Sequence, residues 1–424
     1  MRVHKFGGAS VKDAESIKNL ASILKSESST AIVVISAMGK TTNFLEELTE
    51  AYFTREPARA EAIFKSISDF HKNIYLDLGL DKYAKEAVPF SEVLDWLSNK
   101  LHQTPSLNYD FEYDQIVHCG ELMSSLIVNA WMLYEGLDVQ WVDARDIIRT
   151  DNTYRAANVN WETSKKAYNR HKHQYNSKIL TQGFIGSTPE GISTTLGREG
   201  SDYTASILAV LAGASDVTIW KDVPGVMNVD PKQFDFSEKL PLISYQEAIE
   251  LAYYGAKVIH PRTIKPLENR NIPLFVKSFL NPEEDGTVIK DVKGELKLAP
   301  VYIIKKNQVL LSVSPRDFSF IMEKHISRIF DIFDVYNAQV SMTQNSAISY
   351  SVCMDCDKRK LPDLVERLSD DFKVLYNDKL QLITIRHYTK EAINKMLKGK
   401  YVILEQRSRK TSRFLVENKM ISGG

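Results

Sequence analysis

The chain has 424 residues, in which Lys plus Arg and Asp plus Glu each number 54, so no global charge argues for a nucleic-acid or anionic-membrane partner. Length of this order makes two or three domains with substantial cores. Three cysteines, at 119, 353 and 356, are too few for a disulfide framework, the start MRVHKFGG has no apolar leader stretch, and no run of about 18 apolar residues stands out, which together predict a reducing, cytoplasmic home and no membrane partner.

Short apolar runs then alternate with helical patterns. Val3 to Phe6 reads as a strand, followed by Gly7-Gly8-Ala9-Ser10 and an amphipathic helix through about Lys25. Ala31 to Ala37 (AIVVISA) is the continuous apolar run of a strand buried on both faces of a parallel sheet. It opens into Met38-Gly39-Lys40-Thr41-Thr42-Asn43, whose G-K-T lacks P-loop spacing and is set aside. From about Asn43 to Leu101 the pattern is mostly helical and charged, as in an inserted helical hairpin or lid.

Alternation resumes with a short strand over Gln115 to His118, ending in Cys119-Gly120-Glu121, and a helix through Tyr134. Val139 to Val142, Lys178 to Phe184, Val217 to Trp220 and Leu274 to Lys277 continue the series of strands. Strands separated by helices predict an α/β layered domain with a mostly parallel sheet over residues 1–295. Right-handed crossovers place the loops after parallel strands along one sheet edge. The loops bearing Lys5 to Gly8, Ser36 to Asn43, Gly120-Glu121 and Lys221-Asp222 are therefore expected to share a crevice.

Thr194 to Ala212 (TTLGREGSDYTASILAVLA) is the stretch around which these loops are organised. Gly197 and Gly200 free the backbone, Ser201 or Asp202 can cap the helix, and the free amides at its start favour an anion. Arg198 offers a planar fork suited to a carboxylate or phosphate; as an isolated motif, a capped surface helix with a solvated arginine fits equally well. Lys5 stands directly before a double glycine, and an ammonium beside bare backbone amides makes a phosphate cradle, although a strand-edge lysine also snorkels to water. Glu121 and Lys257, taken singly, read as charges complementing helix ends. Cys353 and Cys356 form a C-x-x-C with no second cysteine pair and no histidine at ligand spacing, which disfavours zinc or redox chemistry.

The motifs KFGGAS at 5–10, VVISAMGKTTN at 33–43, HCGELMSS at 118–125, TQGFIGST at 181–188, TTLGREGSDYTA at 194–205, DVPGVMNVDPK at 222–232 and GAKVIHP at 255–261 together resemble those of the aspartate kinases, in that family's order. The resemblance covers residues 1–295 and implies the amino-acid kinase fold, an αβα sandwich. It implies ATP and L-aspartate as substrates, 4-phospho-L-aspartate as product, and a place at the start of lysine, threonine and methionine biosynthesis.

Phosphoryl transfer to a carboxylate brings two anions together, so the protein must supply positive charge and in-line positioning. Lys5 is expected to bridge the phosphates and the transferring group, with Gly7, Gly8 and Ser36 making close backbone or hydroxyl contacts. By resemblance, Arg198 clamps an aspartate carboxylate, Glu121 and Thr42 orient the amino acid, and Ser201 joins the substrate side. Asp202 organises Lys5 and the substrate ammonium; no base is needed, because the attacking carboxylate is already ionised. Lys221, Asp222, Met227, Lys232, Lys257 and Val258 occupy the family's nucleotide positions, and Mg2+ is held by phosphates and water without dedicated protein ligands. Ala9, Lys221, Met227 and Lys232 depart from the residues common in the family (threonine, threonine, tyrosine and arginine), which puts adenine and ribose contacts in question more than phosphoryl transfer.

Residues 300–424 read as two successive β-α-β-β runs, the second shortened, and resemble the paired ferredoxin-like ACT domains of aspartate kinases. That resemblance implies a homodimer through this region. In lysine-sensitive relatives a glycine opens the first ACT helix and a Ser-Glu pair follows its second strand. Here the corresponding stretches are Glu323-Lys324-His325-Ile326 and Asn345-Ser346-Ala347, from which weak or absent lysine inhibition is expected. The start also resembles kinases fused to homoserine dehydrogenase, but no further dinucleotide-binding pattern occurs before Gly424, so that activity is not expected. Two other functions stay open on the sequence: a kinase of the same fold with another carboxylate or phosphate acceptor, and a catalytically silent amino-acid sensor.

Overall fold

The computed structural model describes residues 1–27, 30–82, 90–172, 178–256, 259–294, 296–317 and 319–418. Two compact units emerge: residues 1–226, 239–252 and 257–296 form one, and residues 227–238, 253–256 and 297–424 the other.

The first unit is built on an eight-stranded sheet. Its strands are β1 (Arg2–Phe6), β2 (Ala31–Ile35), β3 (Val139–Trp141), β4 (Lys178–Gln182), β7 (Asp216–Lys221), β8 (Leu242–Ser244), β9 (Leu274–Ser278) and β10 (Thr287–Lys290). A separate hairpin joins β5 (Ile185–Ser187) to β6 (Ser193–Thr195). The order is β3-β4-β2-β1-β7-β9-β10-β8, parallel throughout except where β10 runs against β9. AIVVI of β2 is buried at every position, as a run without alternation requires of a strand covered on both faces. Phe6 stacks on Trp220 at 5.8 Å and meets Phe279 edge-on at 6.1 Å. Truncating so central a ring costs about 3–5 kcal/mol.

Several sequence expectations change here. Gln115 to His118 is not a strand: Gln115 to Val117 close the helix Tyr109–Val117, and the helix Cys119–Tyr134 follows after His118. The Asn108 side chain accepts from the Phe111 amide at 3.1 Å, an N-cap that commits the segment to helix, whereas the short apolar run alone is ambiguous. Residues 109–134 have the length and mean hydropathy (1.3) of a membrane span, but that stretch is 94% buried in the structure, as a core helix is. The helices Thr41–Phe53, Pro57–Asp77 and Ser91–Leu101 are not a lid; Leu45, Leu48, Ile67, Ile74 and Leu97 share one core with Phe6, Ile17 and Val33. The strand expected through Phe184 ends at Gln182, since Phe184 takes a left-handed φ of 69°.

The second unit carries a six-stranded antiparallel sheet in the order β12-β13-β11-β14-β16-β15. These strands are β11 (Val301–Pro315), β12 (Gln339–Asn345), β13 (Tyr350–Asp355), β14 (Phe372–Arg386), β15 (Lys400–Arg407) and β16 (Thr411–Asn418). The helices Glu323–Val335, Leu361–Asp371 and Lys390–Leu397 fall between them. The two strands expected near 372–376 and 380–388 are one, because β14 pairs with β11 along its whole length. That pairing also draws residues 301–308, unassigned in the sequence, into the sheet. Hydrophobic clusters form on this sheet around Leu311, Phe333 and Leu364, around Ile383, Ile393 and Phe414, and around Met342, Leu380 and Leu415; the first two enclose the helices, as in a pair of ACT-like β-α-β-β modules.

Candidate functional site

Register brings the site together. Phe6, the last residue of β1, lies opposite Ile35 of β2 and Trp220 of β7, so Gly7, Ser36 and Lys221 emerge side by side at the carboxyl edge of the sheet. The crossovers diverge at β1, and ligands of open α/β sheets bind at such a switch point. A cleft of about 670 Å³ opens there.

One side of the cleft is cationic. Lys5 Nζ lies 2.6 Å from Asp202 Oδ1, and Lys221 Nζ lies 3.8 Å from Asp202 Oδ2. Both Lys5 and Asp202 are more than nine-tenths buried. Burial pushes the Asp202 carboxyl up, but the two ammonium groups outweigh it and hold the group below its ordinary value. Two ammoniums share this one buried carboxylate and so present positive charge to the cleft. A side chain at Gly8 would bring a Cβ to 2.8 Å from the Ala37 carbonyl oxygen, so only glycine lets the loops after β1 and β2 close on one another. A Cβ at Gly7 would stand 3.5 Å from Lys5 Nζ, so glycine keeps that approach to the ammonium clear, and Asp222 lines the same wall. This bare, cationic cradle fits a polyphosphate.

The helix Gly200–Ala212 points its start at the cleft through Gly200, Ser201 and Asp202. Its N-cap is Glu199, at a left-handed φ of 54° and with no side-chain cap hydrogen bond, so the capping expected of Ser201 or Asp202 does not occur. The turn is braced instead by Glu199 Oε2, which accepts from the His260 amide at 2.9 Å, and by Arg262 Nη1, which donates to the Leu196 carbonyl at 2.9 Å. The Gly200 amide donates to the Gly197 carbonyl at 2.9 Å, which leaves the amides of Ser201 and Asp202 at the helix start to an anion.

Facing this wall is a side of different character. Glu121, in the first turn of the helix Cys119–Tyr134, is 3% exposed. Its Oε1 accepts from the Ala37 amide at 3.4 Å, while its Oε2 has no hydrogen-bond partner among the described residues. Burial pushes its carboxyl up to about 8, against the smaller opposing effects of the Ala37 amide and the Lys5 charge. A buried carboxylate with an open oxygen is a receptor for a cation. Arg198 is exposed on the same lining and has no ion-pair partner among the described residues. Thr42, at the start of the helix Thr41–Phe53, and Ser36 complete the side. Ser36 is fixed from behind, its amide donating to the Phe6 carbonyl at 3.2 Å and its carbonyl accepting from Ser124 Oγ at 2.7 Å.

Of the residues expected at the site, Lys5, Gly7, Gly8, Ser36, Thr42, Glu121, Arg198, Ser201, Asp202, Lys221 and Asp222 share this lining. Met227 and Lys232 are not on it; both belong to residues 227–238 of the second compact unit. Lys257 and Val258 lie outside the described residues. The sequence reading missed Glu46, Tyr113, Arg155 and Phe184, which also line the cleft. Tyr113 donates to Glu46 Oε1 at 2.7 Å, and the Arg155 guanidinium lies 4.6 Å from the Tyr113 ring centre. Glu46, Tyr113 and Arg155 sit in no glycine-rich loop after a strand, so nothing local marked them; Phe184 does follow β4, between Gly183 and Gly186 of the TQGFIGST motif, but was assigned no role. The His/Cys/Asp/Glu side chains form no group of three or more suited to a metal among the described residues.

Residues 1–278 match the amino acid kinase family. Lysine-sensitive aspartokinase 3 of Escherichia coli is 31% identical over 358 residues, 83% of this chain and 78% of that protein. The bifunctional aspartokinase/homoserine dehydrogenase 1 of Arabidopsis thaliana is 31% identical over 388 residues, 88% of this chain; the chain spans only 42% of that relative's length. The crystal structure of E. coli aspartokinase III in complex with aspartate and ADP superposes with a TM-score of 0.82 at 27% identity, covering 99% of this chain and 96% of that one.

Proposed function

Because this chain belongs to the amino acid kinase family and, within it, to the aspartokinases, we infer that it transfers the terminal phosphoryl group of ATP to the side-chain carboxylate of L-aspartate, giving 4-phospho-L-aspartate and ADP. The observation that carries the reading is the pairing of a polyphosphate cradle, Lys5 with Lys221 and Asp202, with an amino-acid receptor, Glu121 with Arg198, on one lining. The ammonium of aspartate pairs with Glu121, and Arg198 forks onto a carboxylate. The acceptor oxygen, already ionised, forms the new bond to phosphorus as the bond to the bridging oxygen breaks and its electron pair leaves with ADP. Lys5 follows the charge as it moves from acceptor to leaving group, which stabilises the transition state more than the ground state. Asp202 fixes the two ammoniums and takes no proton.

A divalent cation, Mg2+ in this reading, supplies further charge at the phosphate oxygens. Asp222, exposed on the cradle wall, is an oxygen donor of the kind that hard ion takes, and phosphates and water provide the rest. Lys221, Asp222, Met227, Lys232, Lys257 and Val258 are assigned to the nucleotide, and Ser36, Thr42 and Ser201 to the amino acid. The second unit is assigned to homodimer formation and the cytoplasm to the enzyme's location.

Glu121 discriminates against the same chemistry on an N-acetylated amino acid, which brings no cation to its open oxygen. Coupled measurement of ADP release with L-aspartate, L-glutamate and N-acetyl-L-glutamate tests the assignment. Turnover that depends on L-aspartate is expected; a preference for an acceptor without a free ammonium refutes it, and acceptor-independent silence returns the chain to a sensor role.

A further inference from the structure

Behind the amino-acid side of the cleft lies a second buried carboxylate that the transfer chemistry does not use. Asp114, on the helix Tyr109–Val117, is fully buried. Its Oδ2 accepts from the Thr195 amide at 2.8 Å and its Oδ1 from the Thr195 hydroxyl at 2.6 Å. Both oxygens also lie 3.1 Å from the Arg155 amide. Every one of these donors is a neutral group, and they come from two separate segments.

The two segments are the ones that carry the arginines of the cleft. Thr195 ends β6 and stands three residues before Arg198. Its carbonyl accepts from the Ala157 amide at 2.9 Å, which ties β6 to the Arg155 turn a second time. Between Thr195 and Arg198 the chain passes Gly197 at a φ of +76°, where a Cβ would stand 3.1 Å from the Arg155 carbonyl oxygen. Arg155 itself holds a left-handed φ of 65°. Gly197 adopts its conformation at no cost, but that of Arg155 is one a non-glycine residue does not adopt freely, so neighbouring bonds must hold that turn. Asp114 bonds both to it and to Thr195.

We propose that Asp114 is a positioning residue for acceptor binding: its carboxylate clasps the Arg155 turn to the strand that delivers Arg198, and so fixes the guanidinium that takes the acceptor's carboxylate. The proposal rests on the assignment of Arg198 to the acceptor given above. It predicts an effect confined to one substrate, since the cradle of Lys5, Lys221 and Asp202 hangs on β1, β7 and the helix Gly200–Ala212. A purely structural carboxylate in the core has no reason to distinguish the two substrates.

The clasp is also sensitive to protonation. Burial pushes the Asp114 carboxyl up to about 6, against the bonds from Thr195 and Arg155, with Asp110 one turn away raising it further. The other titratable groups facing it are Tyr113, Tyr154 and His118, the last through its Nδ1 at 3.0 Å from the Asp114 carbonyl. A protonated carboxyl presents one acceptor fewer, so the Michaelis constant for the acceptor should rise as pH falls through about 6 while that for ATP stays flat.

The test is initial-rate kinetics of the full chain with each substrate varied. D114N keeps the shape but turns a donor toward donors; the expected result is a rise of about tenfold or more in KM for aspartate, with kcat and KM for ATP within about threefold, and loss of the acid limb near pH 6. T195V removes one bond and is expected to move the same constant by roughly threefold, while T195S restores it. If D114N does not fold, the Thr195 pair carries the test alone. Equal losses in both Michaelis constants, or an unchanged constant for aspartate in T195V, overturn the proposal. If the wild-type chain prefers another acceptor, the same variants are read against that acceptor, so failure of the clasp is distinguishable from failure of the substrate assignment.

Discussion

Two buried carboxylates line the same cleft, 4% and 3% exposed, and their environments drive them in opposite directions. Asp202, on the phosphate side, sits between two ammoniums that hold it ionised below its ordinary range. Glu121, assigned to the acceptor side, has an amide on one oxygen and no hydrogen-bond partner on the other among the described residues, and burial pushes it up to about 8. Equal burial therefore says little about charge; the neighbours decide. The phosphate side is electrostatically complete before any ligand arrives, which suits a surface that must not reorganise during transfer. In the proposed assignment the substrate brings the cation that the open oxygen of Glu121 lacks, so a free ammonium on the amino acid is the expected condition of binding.

The comparison is broken most severely by removing its cationic centre. K5M leaves Asp202 with only the more distant Lys221, and it takes away the charge that follows the phosphoryl group. A fall on the order of 10^3-fold in kcat is expected, with KM for aspartate changed much less, as separate saturation curves for the two substrates will show. R198A acts on the other side. Loss of a charge-assisted fork is expected to raise KM for aspartate on the order of 10^2-fold and to leave ATP saturation close to wild type. If both variants damaged the same kinetic constant by the same factor, the cleft would not have two sides.

Glu121 sharpens the contrast through protons. The free enzyme at pH 7 carries its proton there, and pairing with the substrate ammonium expels it, so aspartate binding should release close to one proton near pH 7 and progressively fewer above about pH 8. Calorimetric titrations in two buffers of different ionisation enthalpy measure that number directly. The sign for stability is the reverse of an ordinary salt-bridged acid: the folded value is raised, so the protonated group favours the fold at low pH and the contribution is lost as pH rises through about 4.5 to 8. E121Q should therefore abolish the proton release, weaken aspartate by about tenfold, and gain thermal stability relative to wild type as the buffer becomes alkaline.

Much of this was legible in the residues. A continuous apolar run such as AIVVI has one sensible place in an α/β layer, and glycines directly after a strand announce a backbone-lined cradle; Lys5, Gly7, Gly8, Arg198 and Asp202 follow from those signals. What escaped was whatever depends on partners distant in sequence. Tyr113, Asp114 and Arg155 sit in segments with no periodic or glycine signature; Tyr113 and Arg155 reach the cleft, with Asp114 behind them, only because β6 and the 109–117 helix pack together. The segment from 115 to 118 misled for the same reason, since a few apolar residues carry no period of their own. The long pairing of β11 with β14, which draws in residues 301–308, is likewise a matter of tertiary partners. Capping failed differently: Ser201 and Asp202 have the right chemistry, but the N-cap is Glu199, two residues before Ser201, at a left-handed φ and with no side-chain cap hydrogen bond.

The smallest expected effect concerns the second unit, where the stretch that corresponds to the lysine-responsive one of relatives is satisfied by its own neutral groups. The helix Glu323–Val335 opens on Met322, whose amide donates to His325 Nδ1 at 3.1 Å, so the side chain of its own first turn occupies the opening that a glycine would leave clear. After β12, the Ser346 and Ser349 hydroxyls lie 2.7 Å apart, and the Ile321 amide takes the Ala347 carbonyl. No carboxylate stands at 345–347 to meet an ammonium. Where the phosphate side holds two ammoniums and the acceptor side keeps an open oxygen, residues 345–347 offer neither. Millimolar lysine should accordingly change the initial rate by less than about twofold, because an ammonium without an anionic partner gains no more than a neutral hydrogen bond in exchange for its hydration. Strong inhibition by lysine would show that the effector draws its counter-charge from somewhere other than residues 345–347.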